Sequence, residues 1–266
     1  MYQMLVTDVD GTLLDSRDRI PQETKEKLSK LKEKGFIITI ATGRMLKRAE
    51  PIAREIMVNA PIICYNGALV VDIYTGRKIF EKAIPHDKLS FLLPLLKSRG
   101  YEPVLFPNET LLIEKLNEKT HWYIKLCQGV EYNIVSNMED FVLTQKVSTL
   151  KVIALADIQH PSPKDERLLE ILEKEYDTSY SDQGHLEITM KSVNKGSALK
   201  ILSDELRIDR KNIIAIGDGE NDISMLKYAG LGSAMGNADE NIKNYADYVT
   251  VSESKNAFLD IIKKFC

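Results

Sequence analysis

The chain has 266 residues, 44% of them hydrophobic and 28% charged, with a formal net charge of -3. That length suits one large or two modest cores, and the composition excludes disorder, collagen and repeat arrays. With no basic excess and no basic stripe, a nucleic-acid partner is not expected; the lysines from Lys25 to Lys34 alternate with Glu26 and Glu33 as on a solvated helix face.

Short apolar runs alternate with helical patterns along the first part of the chain. Residues Gln3 to Thr7 predict a strand. Pro21 to Lys34 predicts a helix, with Pro21 in its first turn and Gly35 as its stop. Phe36 to Ala41 is a β-branched apolar run, Arg44 to Met57 a helix kinked or broken at Pro51, and Pro61 to Tyr65 a further strand. The same texture returns late: a helix at Lys195 to Leu206, a strand at Ile213 to Ile216 and a helix at Glu220 to Tyr228. Near-continuous apolar strands alternating with helices predict an α/β fold, a Rossmann-like, doubly wound parallel sheet covered on both faces.

The middle section reads differently. Helices are predicted at 86–99 and 117–128, ending at Gly100 and Gly129, then a strand at 149–156, Pro161 and Pro163, and a helix at 164–175. His185 to Met190 alternates as a half-buried strand, with Leu186 and Ile188 inward and Glu187 on the other face, where it could meet a sugar hydroxyl. This mixed order predicts an α+β unit over 83–190, inserted into a core made of 1–82 and 191–266, with linkers near Lys82 to Pro85 and Lys191 to Asn194. The cysteines, Cys64, Cys127 and Cys266, are odd in number and far apart, without zinc spacing, which suits a reducing cytosol. No signal core or membrane-length apolar span is present, so a soluble cytoplasmic protein is expected, without a membrane partner, as a monomer or small homo-oligomer.

Polar residues gather where the predicted strands end. Asp8 and Asp10 follow the first strand, Thr42, Gly43 and Arg44 the second, Asn66 and Gly67 the third, and the run Gly217 to Asp222 the late one. Open α/β sheets bind ligands beyond the carboxyl ends of their strands, so neighbouring parallel strands would bring these residues to one crevice. Converging carboxylates from Asp8, Asp10, Asp218 and Asp222 would repel one another without a cation, and their hard oxygens suit Mg2+. Thr42-Gly43-Arg44 places a hydroxyl and backbone N–H groups at a helix start, an anion site, although Thr42 could equally cap the helix. Lys195 opens a helix where the macrodipole disfavours a cation, which calls for a phosphate or carboxylate neighbour.

Taken in order, Asp8-Val9-Asp10-Gly11-Thr12, Thr42, Lys195 and Gly217-Asp218-Gly219-Glu220-Asn221-Asp222 resemble the four motifs of the haloacid dehalogenase superfamily. Leu5 to Leu14 and the Asn221-Asp222 ending look most like its Cof-type branch, in which a large α+β cap, type C2, lies between the second and third motifs. The resemblance spans nearly the whole chain. It implies a phosphatase acting on small phosphorylated metabolites, sugar phosphates foremost, through an aspartyl-phosphate. Asp8 would be the nucleophile, Asp10 the general acid and base, and Thr42 and Lys195 the groups that hold the phosphoryl group. Magnesium would be held by Asp8, the Asp10 carbonyl and Asp218, supported by Asn221 and Asp222; Gly43, Arg44, Asn66, Gly67 and Asn221 would line the substrate side. A phosphomutase, or a phosphatase of cofactor or nucleotide phosphates, fits the same motifs. A phospho-aspartate receiver module does not, because receivers lack a counterpart of Asp10.

Overall fold

From its first residues the chain alternates strand and helix: β1 (Met4–Thr7), α1 (Gln22–Glu33), β2 (Ile37–Ile40) and α2 (Leu46–Glu55), followed by β3 (Ile62–Cys64), β4 (Leu69–Val71) and β5 (Lys78–Glu81). The middle of the chain forms α3 (His86–Ser98), β6 (Glu102–Leu105), β7 (Leu111–Ile113), α4 (Glu118–Leu126), β8 (Tyr132–Ile134), α5 (Met138–Gln145), β9 (Val152–Leu155), α6 (Glu166–Leu172), β10 (Tyr176–Tyr180) and β11 (Leu186–Met190). The last part forms α7 (Lys195–Glu205), β12 (Ile213–Gly217), α8 (Ile223–Tyr228), β13 (Leu231–Ala234), α9 (Glu240–Lys243), β14 (Tyr248–Val249) and α10 (Ala257–Phe265). This is a computed structural model, and it describes residues 2–156, 164–181, 184–250 and 257–266. Pro161 and Pro163 lie outside the described residues. Two units result: Met1–Arg44, Ala49–Phe80 and Asn194–Cys266 make the first, Met45–Arg48 and Glu81–Val193 the second.

In the first unit a five-stranded sheet runs in the order β14-β13-β12-β1-β2. Every pairing in it is parallel. Met4, Val6, Ile213 and Ala215 face one side and pack with Leu199 and Leu202 of α7 and Met225 and Leu226 of α8. The alternating residues Leu5, Ile38, Ile214 and Ile216 are also fully buried. On their side α1 contacts β2 and α10. Two buried faces explain why these strands read as continuous apolar runs. The chain leaves β1 toward β2, while β12 lies on the other flank of β1. The carboxyl end of β1 is therefore the switch point of the sheet, where such folds bind ligands.

β3 departs from the expectation of one more parallel strand. It opens a separate three-stranded sheet, β3-β4-β5, and follows the β2 side of the first sheet by a parallel bridge between Ala41 and Ile63. The reason is local: Tyr65–Gly67 forms a tight 3-10 turn that sends β4 back antiparallel to β3. α2 begins at Leu46 rather than Arg44, and Pro51 sits inside it instead of breaking it.

The second unit holds a six-stranded sheet in the order β10-β11-β9-β6-β7-β8, antiparallel except for β7 with β8. Leu186 and Ile188 of β11 and Val152 and Ala154 of β9 pack with Leu89, Leu92 and Leu96 of α3 in one buried cluster. Alternation puts His185, Glu187 and Lys151 on the opposite face. There Trp122 of α4 meets the His185 ring at 5.2 Å, and Lys151 pairs with Glu187 at 2.8 Å. Leu186 and Ile188 thus point inward as their alternation predicts. Three helices of this unit, α4, α5 and α6, start at side-chain caps, Asn117, Asn137 and Asp165, each accepting a backbone N–H of the first turn.

Candidate active site

Asp8 is the first residue past β1, and its N–H still bonds the Ile216 carbonyl of β12. It is therefore held rigidly between two strands. Its Oδ1 accepts from Lys195 Nζ at 2.7 Å, and the same ammonium reaches Asp222 Oδ1 at 2.6 Å. Lys195 is fully buried at the start of α7, whose first turn is closed by an Asn194–Ser197 capping box. The carboxylate pair supplies the anionic neighbour that a lysine at a helix start requires. Burial pulls the Lys195 ammonium down, but Asp222 and Asp8 more than offset this and hold it charged, well above its ordinary value. Burial, reinforced by Asp222, pushes the Asp8 carboxyl well above the usual carboxylate range, with Lys195 opposing the shift.

Asp222 is fully buried and spent on structure: its Oδ2 accepts from the N–H groups of Asp218 (3.0 Å) and Gly219 (2.9 Å). Asp218 is gripped through Oδ1 by Thr12 at 2.9 Å and through Oδ2 by Asn237 at 2.8 Å. One oxygen from each of Asp8, Asp218 and Asp222 lies within 4.8 Å of the others. Because Lys195 and two backbone donors hold Asp222, Asp8 and Asp218 remain the carboxylates best placed for an ion, with Asp222 bracing them. An all-oxygen, acidic donor set of this kind fits magnesium. Gly11 lies against it with φ 72°, and a Cβ there would stand 2.0 Å from Asp218 Oδ2. No side chain fits at that position.

The remaining expected residues are placed as follows. Arg44 forks onto Asp10, Nε to Oδ2 at 2.8 Å and Nη2 to Oδ1 at 2.5 Å. Half of the Asp10 carboxylate stays exposed to solvent. Thr42 Oγ1 accepts the Arg44 N–H at 3.1 Å, which makes it the cap of a turn preceding α2 rather than of the helix itself. Asn66 Oδ1 accepts from Asn221 Nδ2 at 3.0 Å. Gly67 packs its α-carbon on the Asn194 carbonyl, where a Cβ would be 2.3 Å from the oxygen. Tyr65, Asn66 and Gly67 all have left-handed backbones, with φ of 52°, 54° and 102°. For the two non-glycine residues this costs on the order of 1–3 kcal/mol each. Glu187 belongs to the second unit, paired with the buried Lys151.

Sequence reasoning did not find Asn237 or the grip of Thr12 on Asp218. Asn237 follows β13, whose Leu231-Gly232-Ser233-Ala234 is too small and too little β-branched to read as a strand. The available signal was the same as elsewhere: small and polar residues, Gly236 and Asn237, just beyond a short apolar run.

A parallel α/β sheet that gathers these aspartates and a buried lysine at its switch point defines an enzyme of the phosphatase class. Within that class the chain belongs to the haloacid dehalogenase-like hydrolases, whose family model matches residues 5–262. It is 29% identical to the stress response protein YhaX of Bacillus subtilis, over 99% of this chain and 93% of that one. It is 28% identical to the 5-amino-6-(5-phospho-D-ribitylamino)uracil phosphatase YcsE of the same organism, over 93% and 89%. A solved haloacid dehalogenase-like hydrolase from Bacteroides thetaiotaomicron matches it over 100% of both chains, with a TM-score of 0.83 and 26% identity. No helix among the described residues is long and apolar enough to cross a membrane.

Proposed function

We propose that this phosphatase hydrolyses small-molecule phosphomonoesters, with sugar or sugar-alcohol phosphates as its substrate class, in two steps through an aspartyl-phosphate on Asp8 and with magnesium as cofactor. The observation that carries the reading is Asp8 itself: a carboxylate at the sheet's switch point, fixed by β12 and by a buried ammonium. Bound by Asp8, the Asp10 carbonyl and Asp218, magnesium would neutralise charge on the phosphoryl oxygens.

Each step uses the chain's own groups. Asp8 attacks phosphorus, the bond to the ester oxygen breaks, and the Asp10 carboxyl gives its proton to the departing alkoxide. Asp10, now a carboxylate, takes a proton from water. The resulting hydroxide attacks the phosphorus of the aspartyl-phosphate, which frees Asp8 and releases inorganic phosphate. Lys195 opposes the upward shift that burial imposes on the Asp8 carboxyl and balances the transferred charge, while Thr42, with the Gly43 and Arg44 backbone, lies beside the incoming phosphoryl group. Within the second unit, Glu187 offers a carboxylate to substrate hydroxyls.

The substrate class draws its support from a relative named for a phosphorylated ribityl-pyrimidine. A phosphate-release screen with magnesium tests it, using hexose and pentose phosphates, 5-amino-6-(5-phospho-D-ribitylamino)uracil, flavin mononucleotide and pyridoxal phosphate. Turnover concentrated on the sugar and ribityl esters is expected. Exclusive turnover of the pyridoxal ester would overturn the substrate class, and absence of phosphate release from every ester the reaction itself.

A further inference from the structure

The left-handed turn at Tyr65–Gly67 is strained, and strain of this kind persists only where the surroundings over-determine it. Here they do so from three sides. Tyr65 N–H donates to the Arg44 carbonyl at 3.0 Å, Asn66 N–H donates to the Thr42 carbonyl at 3.1 Å, and the Gly67 α-carbon sits on the Asn194 carbonyl. Every one of these anchors adjoins a residue of the active site. What they deliver is the buried Asn66 carboxamide, which takes the Asn221 Nδ2 hydrogen across 155 positions of sequence.

Asn221 stands between Asp218 and Asp222. Its Oδ1 lies 2.8 Å from the place of a Cβ on Gly219, so it packs closely over that glycine while its Nδ2 donates to Asn66. We infer that Asn66 is a positioning residue for the Asp218–Asp222 loop. Its carboxamide indexes that loop to the end of β3, and so holds Asp218 in place for the magnesium of the proposed function, on which this inference rests. In this role Asn66 touches neither metal nor substrate. Asparagine suits the position because it tolerates the left-handed backbone and carries an acceptor of the right reach.

Isothermal titration of the full-length, substrate-free chain with magnesium chloride tests this, comparing wild type, Asn66→Gly, Asn221→Ala and the double variant. Glycine keeps the left-handed backbone and removes only the carboxamide, so thermal unfolding of the metal-free Asn66→Gly chain should stay close to wild type. Each single variant should raise the Kd for magnesium by about tenfold, the scale seen when a group supporting a metal ligand is lost. The double variant should be no weaker than either single one, since both delete the same bond. Unchanged affinity in Asn66→Gly, or fully additive effects, overturns the inference. Should Asn66→Gly not fold, Asn221→Ala cuts the same bond from its other end, and unchanged affinity there overturns it as well. Magnesium binding absent from wild type would overturn the metal reading first, and that titration alone tells the two failures apart.

Discussion

Lys195 and Asp222 are both withdrawn from solvent, and the lysine ammonium sits 2.6 Å from Asp222 Oδ1 while holding Asp8 Oδ1 at 2.7 Å. One buried cation thus compensates two carboxylates, with Asp218 close by. Removing it leaves charge in a medium that solvates charge poorly. Lys195→Met should therefore abolish turnover and destabilise the metal-free chain at neutral pH by about 3–5 kcal/mol, the cost of breaking a buried pair. The sign of its pH dependence follows from Asp8. Its carboxyl pKa is raised in the fold, so the folded chain holds the proton more tightly than the unfolded one. Stability then grows as pH falls toward the ordinary carboxylate value. Urea unfolding in chelator at pH 8 and pH 5.5 checks this; a Lys195→Met deficit that does not shrink at the lower pH contradicts it.

Asp8 and Asp10 differ in setting, one buried between strands, the other half exposed and forked by Arg44. Asp8→Asn should abolish both turnover and acid-stable protein-bound phosphate. Asp10→Asn should slow turnover by roughly 10²–10⁴-fold, the usual contribution of a general acid and base. Phospho-enzyme should accumulate there if dephosphorylation is slowed the more. Near-native rates in Asp8→Asn would remove it as the nucleophile.

Magnesium should be required, with manganese a partial substitute and calcium an inhibitor. Calcium prefers more oxygen ligands at longer distances, whereas Asp218 is fastened by Thr12 and Asn237 and has little freedom to widen the site. Steady-state rates after exhaustive chelation and metal add-back measure this; full activity in chelator contradicts it.

Glu187 calls for a substitution that spares its partner. Lys151 is 3% exposed and pairs with it, so Glu187→Ala would take a counter-charge from a buried ammonium and open a void beside it. Glu187→Gln keeps the shape and much of the hydrogen bonding. It should lower kcat/KM on the best sugar phosphate while leaving hydrolysis of p-nitrophenyl phosphate unchanged. Equal rates on both esters would assign Glu187 to the packing of its own unit.

The residues legible in the sequence are those whose role follows from their immediate neighbours. Asp8, Thr42 and Asp218 each come just after an apolar run, and a parallel strand buried on both faces announces itself by such a run. The family motifs completed that reading. Lys195 was legible as an anomaly, a cation at a helix start. Other features depended on pairings the chain makes only once folded. Thr12 meets Asp218 across 206 positions, and Asn66 meets Asn221 across 155. Neither spacing has a period that a sequence window can register. Short strands such as Glu102–Leu105, Leu111–Ile113 and Tyr132–Ile134 were missed for a related reason: three or four residues have no pattern of their own and become strands through the edges beside them. The turn at Tyr65–Gly67 is the limiting case. Asn66 and Gly67 accept the left-handed backbone by local preference, but tyrosine does not, and the Tyr65 conformation rests on contacts that the tertiary fold brings to the turn from Arg44, Thr42 and Asn194.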